Sequence, residues 1–415
     1  MQSWSLTLAA ALLALFVGPA VADSPAEAED DLPMAELELL SEVYSRIKRD
    51  YVDEVDDADL FRAAIRGMLS ELDAHSSYLD EDELEQLREG TRGEFGGVGL
   101  ELSRQDDEIR VVAPIDDTPA SRAGLQAGDV LLRIDGDTVR GASLNEVVQR
   151  LRGEPGSVVE VTIRRTEDEG RTRTLELERD TIQVESVRAR MLEPGYGYVR
   201  ISQFQERTAS DLYPALDRLL EEADGALDGL ILDLRNNPGG VLDPAVAVAD
   251  AFLTEGRIVY TEGRMRQARM SFDATPVDRA RGAPMVVLIN RGSASGSEIV
   301  AGALQDHRRA VIMGRASFGK GSVQSVLPLD GAAMKLTTAR YYTPDGRSIQ
   351  DEGIQPDIVV DNLRLTETED RGAEGVLDAP EDAEDAEEAA ELAKDDYVLS
   401  EALNLLKGLR VFEGR

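Results

Sequence analysis

Residues 285–299 read MVVLINRGSASGSEI, an unbroken apolar run followed by small and polar residues. Five consecutive apolar residues that end at a turn are typical of a strand buried on both faces of a parallel sheet. Helical spacing begins near Ser297, so a helix is expected directly after the turn. Residues 230–234 (LILDL) repeat this pattern ahead of a predicted helix at 244–252. The alternation predicts an α/β core over residues 183–362, with its site at the carboxyl ends of the strands.

A β-rich module precedes this core. Residues 93–182 alternate short β-rich runs with turns and contain one predicted helix at 144–151. The predicted strands are 99–102, 109–112, 130–134, 158–164 and 172–177. About ninety residues is an ordinary size for a compact domain, so we expect the module to fold around its own core.

Helical and acidic segments flank these two domains. Residues 23–92 are a predicted N-terminal helical region, since apolar residues recur there at helical spacing after an acidic start. Residues 363–395 are rich in Glu, Asp and Ala, a composition typical of a disordered linker. Residues 396–415 return to a helical pattern. A lone amphipathic helix after a linker is expected to dock on the core or on another subunit.

Residues 1–22 have the pattern of a secretory signal peptide. An apolar run from Leu6 to Gly18 is followed by Ala20-Val21-Ala22, a small-x-small cleavage pattern. The alternative is an uncleaved N-terminal anchor, because the residues before the apolar run lack Lys and Arg. We expect an exported chain, periplasmic or otherwise outside the cytoplasm, that is soluble after cleavage.

Composition narrows the possible functions. The chain has 415 residues, a formal net charge of −36, no cysteine and two histidines, His75 and His307. So acidic a chain disfavours nucleic acid as a partner. The lack of cysteine excludes disulfides and a thiol nucleophile, and the two histidines lack the spacing of a metal site. The acidic, lysine-poor composition also suggests a salty habitat as a hypothesis.

The turn around Ser295 is a candidate for acyl-transfer chemistry. Small residues there leave backbone N–H groups exposed at the positive end of a helix dipole, where an oxyanion would be stabilised. A structural interpretation fits the same residues equally well. Ser295 and Glu298 have the spacing of a capping box, which would make the serine a helix cap.

A lysine between two glycines marks residues 318–324, which read FGKGSVQ. The chain contains five lysines and 40 arginines, so the choice of Lys320 is unusual. Lysine, unlike arginine, can lose its proton and act as a base. Lowering its pKa from about 10.4 to about 7 would take ~4 kcal/mol of desolvation, which an apolar pocket could supply. The amide of Gln324, four residues on, could orient the amine.

Lys320 also allows a nucleotide-binding interpretation. Residues 314–320 match the first seven positions of a Walker A loop, but the eighth is Gly321 instead of Ser or Thr. The magnesium ligand is therefore missing, and residues 323–327 predict a strand where a P-loop has a helix. A phosphate-binding loop is disfavoured.

Two glycine-rich segments add weaker signals. Residues 233–240 (DLRNNPGG) follow a buried strand, and the paired glycines permit a turn whose amides point into a cleft. Residues 96–100 (GGVGL) open the β-rich module and could present amides to a peptide carboxylate while the adjoining strand edge pairs with the peptide. Alone, each segment is equally compatible with an ordinary turn.

Together these segments resemble the carboxyl-terminal processing, or tail-specific, serine proteases of bacteria and chloroplasts. Residues 293–299 resemble the nucleophile motif of that family, and residues 318–324, at the family spacing, resemble its lysine motif. Residues 233–240 resemble its oxyanion loop, and residues 96–100 resemble the carboxylate-binding loop of a PDZ domain. The resemblance extends over nearly the whole chain after the signal peptide.

The resemblance implies a role for each candidate residue. Ser295 would be the nucleophile, Lys320 the general base and Gln324 the residue that orients the base. The backbone N–H groups of Gly240 and Gly296 would form the oxyanion hole. Gly296 departs from the family, in which this position is more often alanine, so a looser oxyanion geometry is expected.

The resemblance also implies a fold and partners. The core would be a crotonase-like α/β fold of the ClpP and crotonase type, with residues 93–182 as an inserted PDZ domain and helical segments at both ends. The predicted peptide-binding residues of the PDZ domain are Gly97, Val98, Gly99 and Leu100. Expected partners are proteins or peptides with apolar carboxyl-terminal tails, a second copy of the chain and an adaptor protein. No metal or other cofactor is implied.

Two other functions compete with the protease. A PDZ scaffold with a degenerate core would keep the fold without catalysis, but the serine, lysine and glutamine are all present at the family spacing. A crotonase-type acyl-CoA enzyme would use the same core, but export to a compartment poor in CoA argues against it. The favoured function is therefore a serine endopeptidase that cleaves exported proteins near their carboxyl termini.

Overall fold

The computed structural model describes residues 32–105, 108–165, 171–361, 392, 394 and 396–413. The predicted signal peptide and nearly all of the predicted acidic linker lie outside the described residues. The chain divides into two compact units, one up to Ile65 and one from Arg66 onward. No helix in the described ranges has the length and apolar character needed to cross a bilayer.

The first unit contains helix α1 (Met34–Asp50) and most of helix α2 (Asp57–Ser70). Between these helices, the rings of Tyr44 and Phe61 stack with their centroids 5.2 Å apart. Apolar spacing predicted both helices, yet several of the apolar side chains are exposed, among them Leu37, Leu40, Val43 and Phe61. The described chain therefore leaves part of their apolar surface uncovered.

The second unit contains the other elements. Its helices are α3 (Glu81–Arg92), α4 (Pro119–Arg122), α5 (Leu144–Leu151), α6 (Thr208–Glu222), α7 (Leu242–Asp250), α8 (Gly296–Asp306) and α9 (Tyr397–Glu413). Its strands are β1 (Ser77–Leu79), β2 (Glu94–Gly97), β3 (Leu100–Gln105), β4 (Glu108–Pro114), β5 (Val130–Ile134), β6 (Asp137–Thr138), β7 (Val158–Arg164), β8 (Thr172–Glu178), β9 (Asp180–Gln183), β10 (Val187–Glu193), β11 (Tyr196–Ile201), β12 (Gly229–Asp233), β13 (Arg257–Gly263), β14 (Ser271–Asp273), β15 (Met285–Ile289), β16 (Val311–Gly314), β17 (Ser322–Leu329), β18 (Ala332–Tyr342) and β19 (Ile358–Val359).

A six-stranded sheet forms the centre of the core, in the order β10-β11-β12-β15-β16-β19. Only β10 runs antiparallel to its neighbour. Every residue of β12 and β15 is buried, because helices α6, α7 and α8 cover one face of the sheet and α9 covers the other. The predicted buried strands are thus the two central strands, and the turns after them lie next to each other.

Helix α9 is attached to this sheet by a partly buried ion pair. The Arg235 guanidinium donates to both carboxylate oxygens of Asp396, at 2.8 and 2.7 Å, and also to Asp233 at the end of β12. Burial alone would raise the pKa of Asp396, but the hydrogen bonds from Arg235 outweigh it and hold that pKa below its ordinary value. The carboxyl-terminal helix therefore packs on the core, as its apolar pattern suggested.

A second sheet contains the hairpin that follows Lys320 in the chain. It has the order β1-β18-β13-β14, with β17 also paired to β18. The long hairpin of β17 and β18 begins two residues after Lys320. This sheet consequently holds the lysine segment against the core.

The β-rich module is a separate sheet in the order β3-β4-β5-β7-β8, with β6 on β5. It encloses its own apolar core, which includes Ile134, Val147 and Val161. Strands β2 and β9 pair with each other at its base, so the chain enters and leaves the module side by side. This arrangement fits an insertion ahead of the core.

The observed helices and strands of the two domains agree closely with those predicted from the sequence. The predicted helix 144–151 and the predicted strands 130–134 and 158–164 have the expected bounds. Helix α8 begins one residue earlier than predicted. Helix α7 spans 242–250 where 244–252 was predicted, so its start was placed two residues late.

Candidate active site

Ser295 lies at the turn between β15 and helix α8, in a conformation rare for a residue with a side chain. Its φ of 53° and ψ of −110° fall outside the common regions. Such strain costs about 1–3 kcal/mol and persists when the surroundings impose it. The turn places the Ser295 side chain at the N-terminus of α8, where the helix dipole favours negative charge.

The loop after β12 is fastened to this turn by hydrogen bonds. Ser297 Oγ donates to the Asn237 carbonyl oxygen at 2.9 Å, and the Ala294 N–H donates to the same oxygen at 3.0 Å. The buried Asn237 side chain donates to Ile201 O and accepts from the Gly239 N–H. We call the turn at Ser295 the nucleophile turn, after the role that the sequence predicts for this serine. The loop and the nucleophile turn are one rigid unit, although about 60 residues separate them in sequence.

Two backbone N–H groups remain free beside Ser295. Those of Gly240 and Gly296 donate no hydrogen bond within the described part of the chain. Gly240 has φ of +146°, and a Cβ there would lie 2.0 Å from the Phe204 carbonyl oxygen. Only glycine therefore fits at this position. The adjacent Gly239 packs against the serine, since a Cβ on it would lie 2.7 Å from the Cβ of Ser295.

The ring of Phe204 explains why position 296 is glycine. A Cβ at Gly296 would lie 2.9 Å from Cδ2 of Phe204 and 3.1 Å from the Cβ of Ala245. The backbone of Phe204 also bonds to the residues on both sides of Gly240. Its N–H donates to Gly239 O, and its carbonyl oxygen accepts from the Val241 N–H. Phe204 thus contacts both segments that carry the free amides.

Glu298 connects the nucleophile turn to the lysine segment. Its buried carboxylate accepts from the backbone N–H of Ser295 at 2.7 Å and of Lys320 at 2.9 Å, both on Oε2. Its other oxygen accepts from Ser317 Oγ at 2.6 Å and the Gly319 N–H at 2.7 Å. The glutamate expected for a capping box is in place at the cap, but it also binds three groups from outside the helix.

The Lys320 side chain is half buried, and its pKa is lowered. Burial is the largest cause, and the positive charge of Lys335 adds to it, while the carboxylate of Glu298 acts in the opposite direction. A lysine in this state loses its proton more readily than one in water. This is the electrostatic condition that a lysine base requires.

Gln324 is oriented by a β-bulge and by two hydroxyl groups. A β-bulge in the β17–β18 pairing leaves Thr338 as the extra residue, because Val323 pairs with Ala339 and the next residue, Gln324, pairs with Thr337; Thr337 therefore lies opposite Gln324. The Gln324 amide donates to Thr337 Oγ1 at 2.9 Å and to Ser322 Oγ at 3.2 Å. Its Oε1 is buried without a partner in the described structure. An unused buried acceptor is costly, so a donor such as an amine fits there.

The residues that support Gln324 come from a distant segment. The Thr337 N–H donates to Ser76 Oγ at 3.2 Å, and Ser76 Oγ donates to Asp73 at 3.0 Å. Burial opposes ionisation of Asp73, but hydrogen bonds, the largest from the Thr337 hydroxyl, lower its pKa to about 2. Neither Thr337 nor Asp73 was a candidate from the sequence, because nothing local distinguishes them from ordinary strand and turn residues.

The structure brings most of the core candidates to one place. Ser295, Gly240 and Gly296 meet at the nucleophile turn, and Lys320 is joined to them through Glu298. The described structure contains no hydrogen bond between the Ser295 hydroxyl and the Lys320 amine. No group of three or more potential metal ligands is assembled anywhere in the described ranges.

The PDZ candidates lie in the β-rich module, apart from this site. Gly97 ends β2, Leu100 begins β3, and Val98 and Gly99 connect the two strands and are buried. The carbonyl oxygens of Val98 and Gly99 accept from the N–H groups of Ala120 and Ile115. Strand β3 is at the edge of its sheet, facing helix α5, so one edge is available within the described module.

Comparison with known proteins identifies the parts of the chain. Residues 195–360 match the model of peptidase family S41, and residues 110–165 match that of a PDZ domain. Residues 19–83 match the model described as the activating protease CtpB N-terminal domain. The match to the S41 family covers the nucleophile turn, the lysine segment and the glycine loop.

A curated relative extends over most of the chain. The carboxy-terminal-processing protease of Bartonella bacilliformis is 45% identical over 388 residues, which are 90% of this chain and 88% of that protein. The chain belongs to the carboxy-terminal-processing proteases. It is a serine-type peptidase with a PDZ domain, and a scaffold that has lost the protease motifs does not fit this identity.

Two further proteins are similar to this protease. A probable CtpA-like serine protease of Staphylococcus aureus is 36% identical over 332 residues, which cover 79% of this chain and 65% of that protein. The solved structure of the photosystem II D1 C-terminal processing protease is 34% identical and covers 79% of this chain and 93% of its own, with a TM-score of 0.47.

Proposed function

We propose that this protease is an endopeptidase that cleaves exported proteins near their carboxyl termini with Ser295 as nucleophile and Lys320 as general base. One observation carries the proposal. A serine in a strained turn and a lysine with a lowered pKa are tied by their backbones to the same carboxylate, that of Glu298. Nucleophile, base and free amides are the parts that acyl transfer requires.

The chemistry proceeds in two stages. Neutral Lys320 takes the hydroxyl proton of Ser295, and Ser295 Oγ attacks the peptide carbonyl carbon to give a tetrahedral intermediate. The C–N bond then breaks, the leaving amine receives the proton from Lys320, and an acyl-enzyme remains. A water molecule repeats the sequence on the ester, releasing the acid and the free serine.

The free amides of Gly240 and Gly296 would bind the oxyanion of each intermediate. Removal of one such donor typically costs about 3 kcal/mol of transition-state stabilisation. Gln324 would direct its unused Oε1 to the Lys320 amine, which fixes the direction in which the amine points. This assignment uses the acceptor that the described structure leaves without a partner.

The PDZ domain would select the substrate by its tail. The loop of Gly97, Val98, Gly99 and Leu100 would bind the terminal carboxylate, and the tail would add as a strand to the free edge of β3. Apolar tails are the expected class. An adaptor protein and a second copy of the chain are further proposed partners, and the exposed apolar side chains of α1 and α2 are compatible with either.

We also propose the crotonase-like description of the core and an exported location. The central sheet with helices on both faces, crossed by a second sheet, is compatible with that fold. Export rests on the signal-peptide pattern of residues 1–22 and on the family to which the protease belongs.

Point variants and a substrate trap test the proposal. Cleavage of unstructured proteins with apolar tails should be abolished by Ser295→Ala and by Lys320→Arg, since arginine keeps its proton. Lys407→Arg is the matched control, because Lys407 pairs with Glu193 away from the site. Full activity of either site variant would overturn the dyad. Proteins that co-purify with Ser295→Ala from the extracytoplasmic fraction should be cleaved by the wild-type chain.

A further inference from the structure

A cleft of about 870 Å³ lies on the outer surface of the second sheet and is lined by arginines. The four arginines in its lining are Arg257, Arg264, Arg269 and Arg340, and Glu262 is the one acidic residue there. We call this the arginine cleft. A concentration of positive charge is unexpected in a chain of net charge −36.

The positive charges of these arginines are not paired with carboxylates in the described structure. The side chains of Arg264 and Arg340 make no ion pair or hydrogen bond in the described structure, although Glu262 lies directly across from Arg340 in the β13–β18 ladder. Arg269 donates to the carbonyl oxygen of Gly263 at 3.3 Å, which leaves its charge uncompensated. Arg257 lies over the ring of Tyr260, 4.8 Å from its centroid.

Two more deeply buried arginines elsewhere in the described chain are paired with carboxylates. Arg165 pairs with Asp129 at 2.7 Å, and Arg309 pairs with Asp278 at 3.2 Å. The arginine cleft differs from these pairs, because four guanidinium groups share one lining with a single acidic residue. A guanidinium in this state offers its paired N–H donors to an incoming carboxylate.

The arginine cleft is close to the proposed catalytic residues. Arg340 lies directly opposite Ser322 in the β17–β18 ladder, and Ser322 is two residues after Lys320. With about 5 Å between opposite residues and about 3.3 Å per residue along a strand, the backbones of Arg340 and Lys320 are at most about 12 Å apart. The cleft wall also includes Thr337, whose hydroxyl holds the Gln324 amide.

We propose that the arginine cleft binds acidic side chains of the substrate within about four residues of the scissile bond. An extended peptide advances about 3.3 Å per residue, so four residues span the distance between base and cleft. The stacked rings of Tyr260 and Tyr342, 5.2 Å apart, add a flat apolar surface for the peptide backbone beside the charges. The inference rests on the proposed protease function and adds to it a preference in the substrate near the cut, separate from the tail that the PDZ domain reads.

Binding to the Ser295→Ala chain tests the inference without cleavage. Two fluorescent peptides would share an apolar carboxyl-terminal tail and differ in their central segment, which carries four Glu in one peptide and four Gln in the other. The acidic peptide should bind at least about tenfold more tightly, the effect of one or two charge-assisted hydrogen bonds. The preference should decrease at high salt, because the pairs are exposed.

A double variant and a matched control assign the preference to the cleft. Arg264→Gln with Arg340→Gln, in the Ser295→Ala chain, should remove the preference for the Glu peptide. Arg266→Gln should retain it, since Arg266 is exposed on the short 3₁₀ turn Arg266–Ala268 and lies outside the cleft lining. Equal binding of the two peptides, or a preference that survives the double variant, would overturn the inference.

Cleavage of the same peptides by the wild-type chain is a separate measurement, which tests the protease function independently of the arginine cleft. If neither peptide is cut, the proposed protease function fails, while the binding result still decides whether the cleft selects acidic segments. If both are cut and bind alike, the protease function stands and the arginine cleft has no part in selection. Unchanged melting temperatures of the variants exclude misfolding as the cause of a lost preference.

Discussion

Ser295 and Lys320 donate their backbone N–H groups to one and the same oxygen, Oε2 of Glu298, at 2.7 and 2.9 Å. The nucleophile turn and the lysine segment are therefore positioned relative to each other by a buried side chain, in addition to the packing of the strands. Glu298 is fully buried and accepts four hydrogen bonds. The relative placement of Ser295 and Lys320 depends on this carboxylate.

Glu298→Gln should impair both activity and stability. The amide NH₂ of glutamine would face two N–H or O–H donors that now point to a carboxylate oxygen, and unsatisfied buried donors cost about 1–3 kcal/mol each. We expect kcat to fall by at least about tenfold, since misplacement of reacting groups has effects of this size. Steady-state kinetics and urea unfolding measure the two effects. Glu255→Gln, at an exposed position, is the control, and a fully active and stable Glu298→Gln chain would contradict this role.

Gly296→Ala should lower activity, although the family resemblance implies alanine at this position more often than glycine. The new Cβ would lie 2.9 Å from the Phe204 ring, and Phe204 also brackets the backbone at Gly240. Overpacking of this kind costs about 1–3 kcal/mol and shifts backbone. We expect reduced kcat with little change in KM.

A second substitution distinguishes the crowding from other effects of alanine. Phe204→Leu combined with Gly296→Ala should recover part of the lost kcat, because the smaller side chain leaves space for the Cβ. Kinetics of the single and double variants form a double-mutant cycle. Additive effects in that cycle would show that the two positions are not coupled through the Phe204 ring.

The activity should rise with pH and level off below the ordinary lysine pKa of 10.5. Burial and the charge of Lys335 lower the Lys320 pKa, and only the neutral amine acts as a base. Lys335→Gln removes one of these causes, so the rising limb of kcat/KM should move to higher pH. The pH profile of Lys407→Gln serves as the control, and a limb that does not move would exclude Lys335 as an influence.

The stability of the folded chain should also depend on the protonation of the Lys320 amine. A lowered pKa in the folded chain means that the unfolded chain binds the proton more tightly, so stability rises with pH between the lowered pKa and 10.5. Lys320→Met removes the half-buried charge and should raise the melting temperature at neutral pH. The gain should shrink as the pH approaches 10.5, which thermal unfolding over a pH series measures. A gain that is constant across the series would contradict this assignment.

Thr337→Val should weaken catalysis through Gln324. Valine cannot accept the hydrogen bond from the Gln324 amide, so the amide and its Oε1 lose their fixed orientation. We expect kcat to fall by roughly tenfold with KM unchanged. Thr337→Ser should retain most activity. Thr338→Val is the matched control, because the Thr338 hydroxyl bonds to Ser325 instead; an equal loss in this control would indicate a general effect on the strand.

The candidate catalytic groups could be predicted from the sequence, because residue type and short spacing are enough to recognise them. Ser295 between small residues, Lys320 between glycines and the paired glycines at 239–240 are local patterns. Ser295 and the paired glycines also each follow a predicted buried strand. Helix α5 and strands β5 and β7 were likewise predicted with their observed bounds, because alternation and capping residues are local signals.

Glu298 makes contacts that local sequence patterns cannot predict. By its spacing from Ser295 it is a helix cap, and it does accept the Ser295 N–H. Its other donors are at positions 317, 319 and 320, which approach it only because β15 and β16 are neighbours in the sheet. No pattern within a few residues of Glu298 could predict those contacts.

The sequence by itself determined the family, the order of domains and the chemical groups available for catalysis, because these depend on which residues are present and on their local spacing. Tertiary structure alone decided how the groups are oriented. Burial lowers the Lys320 pKa, the Phe204 ring requires glycine at 296, and a threonine 13 residues away along the hairpin orients Gln324. The arginine cleft likewise exists only because β13 and β18 pair. Desolvation and hydrogen-bond direction arise from contacts between distant segments, and only the folded chain creates those contacts.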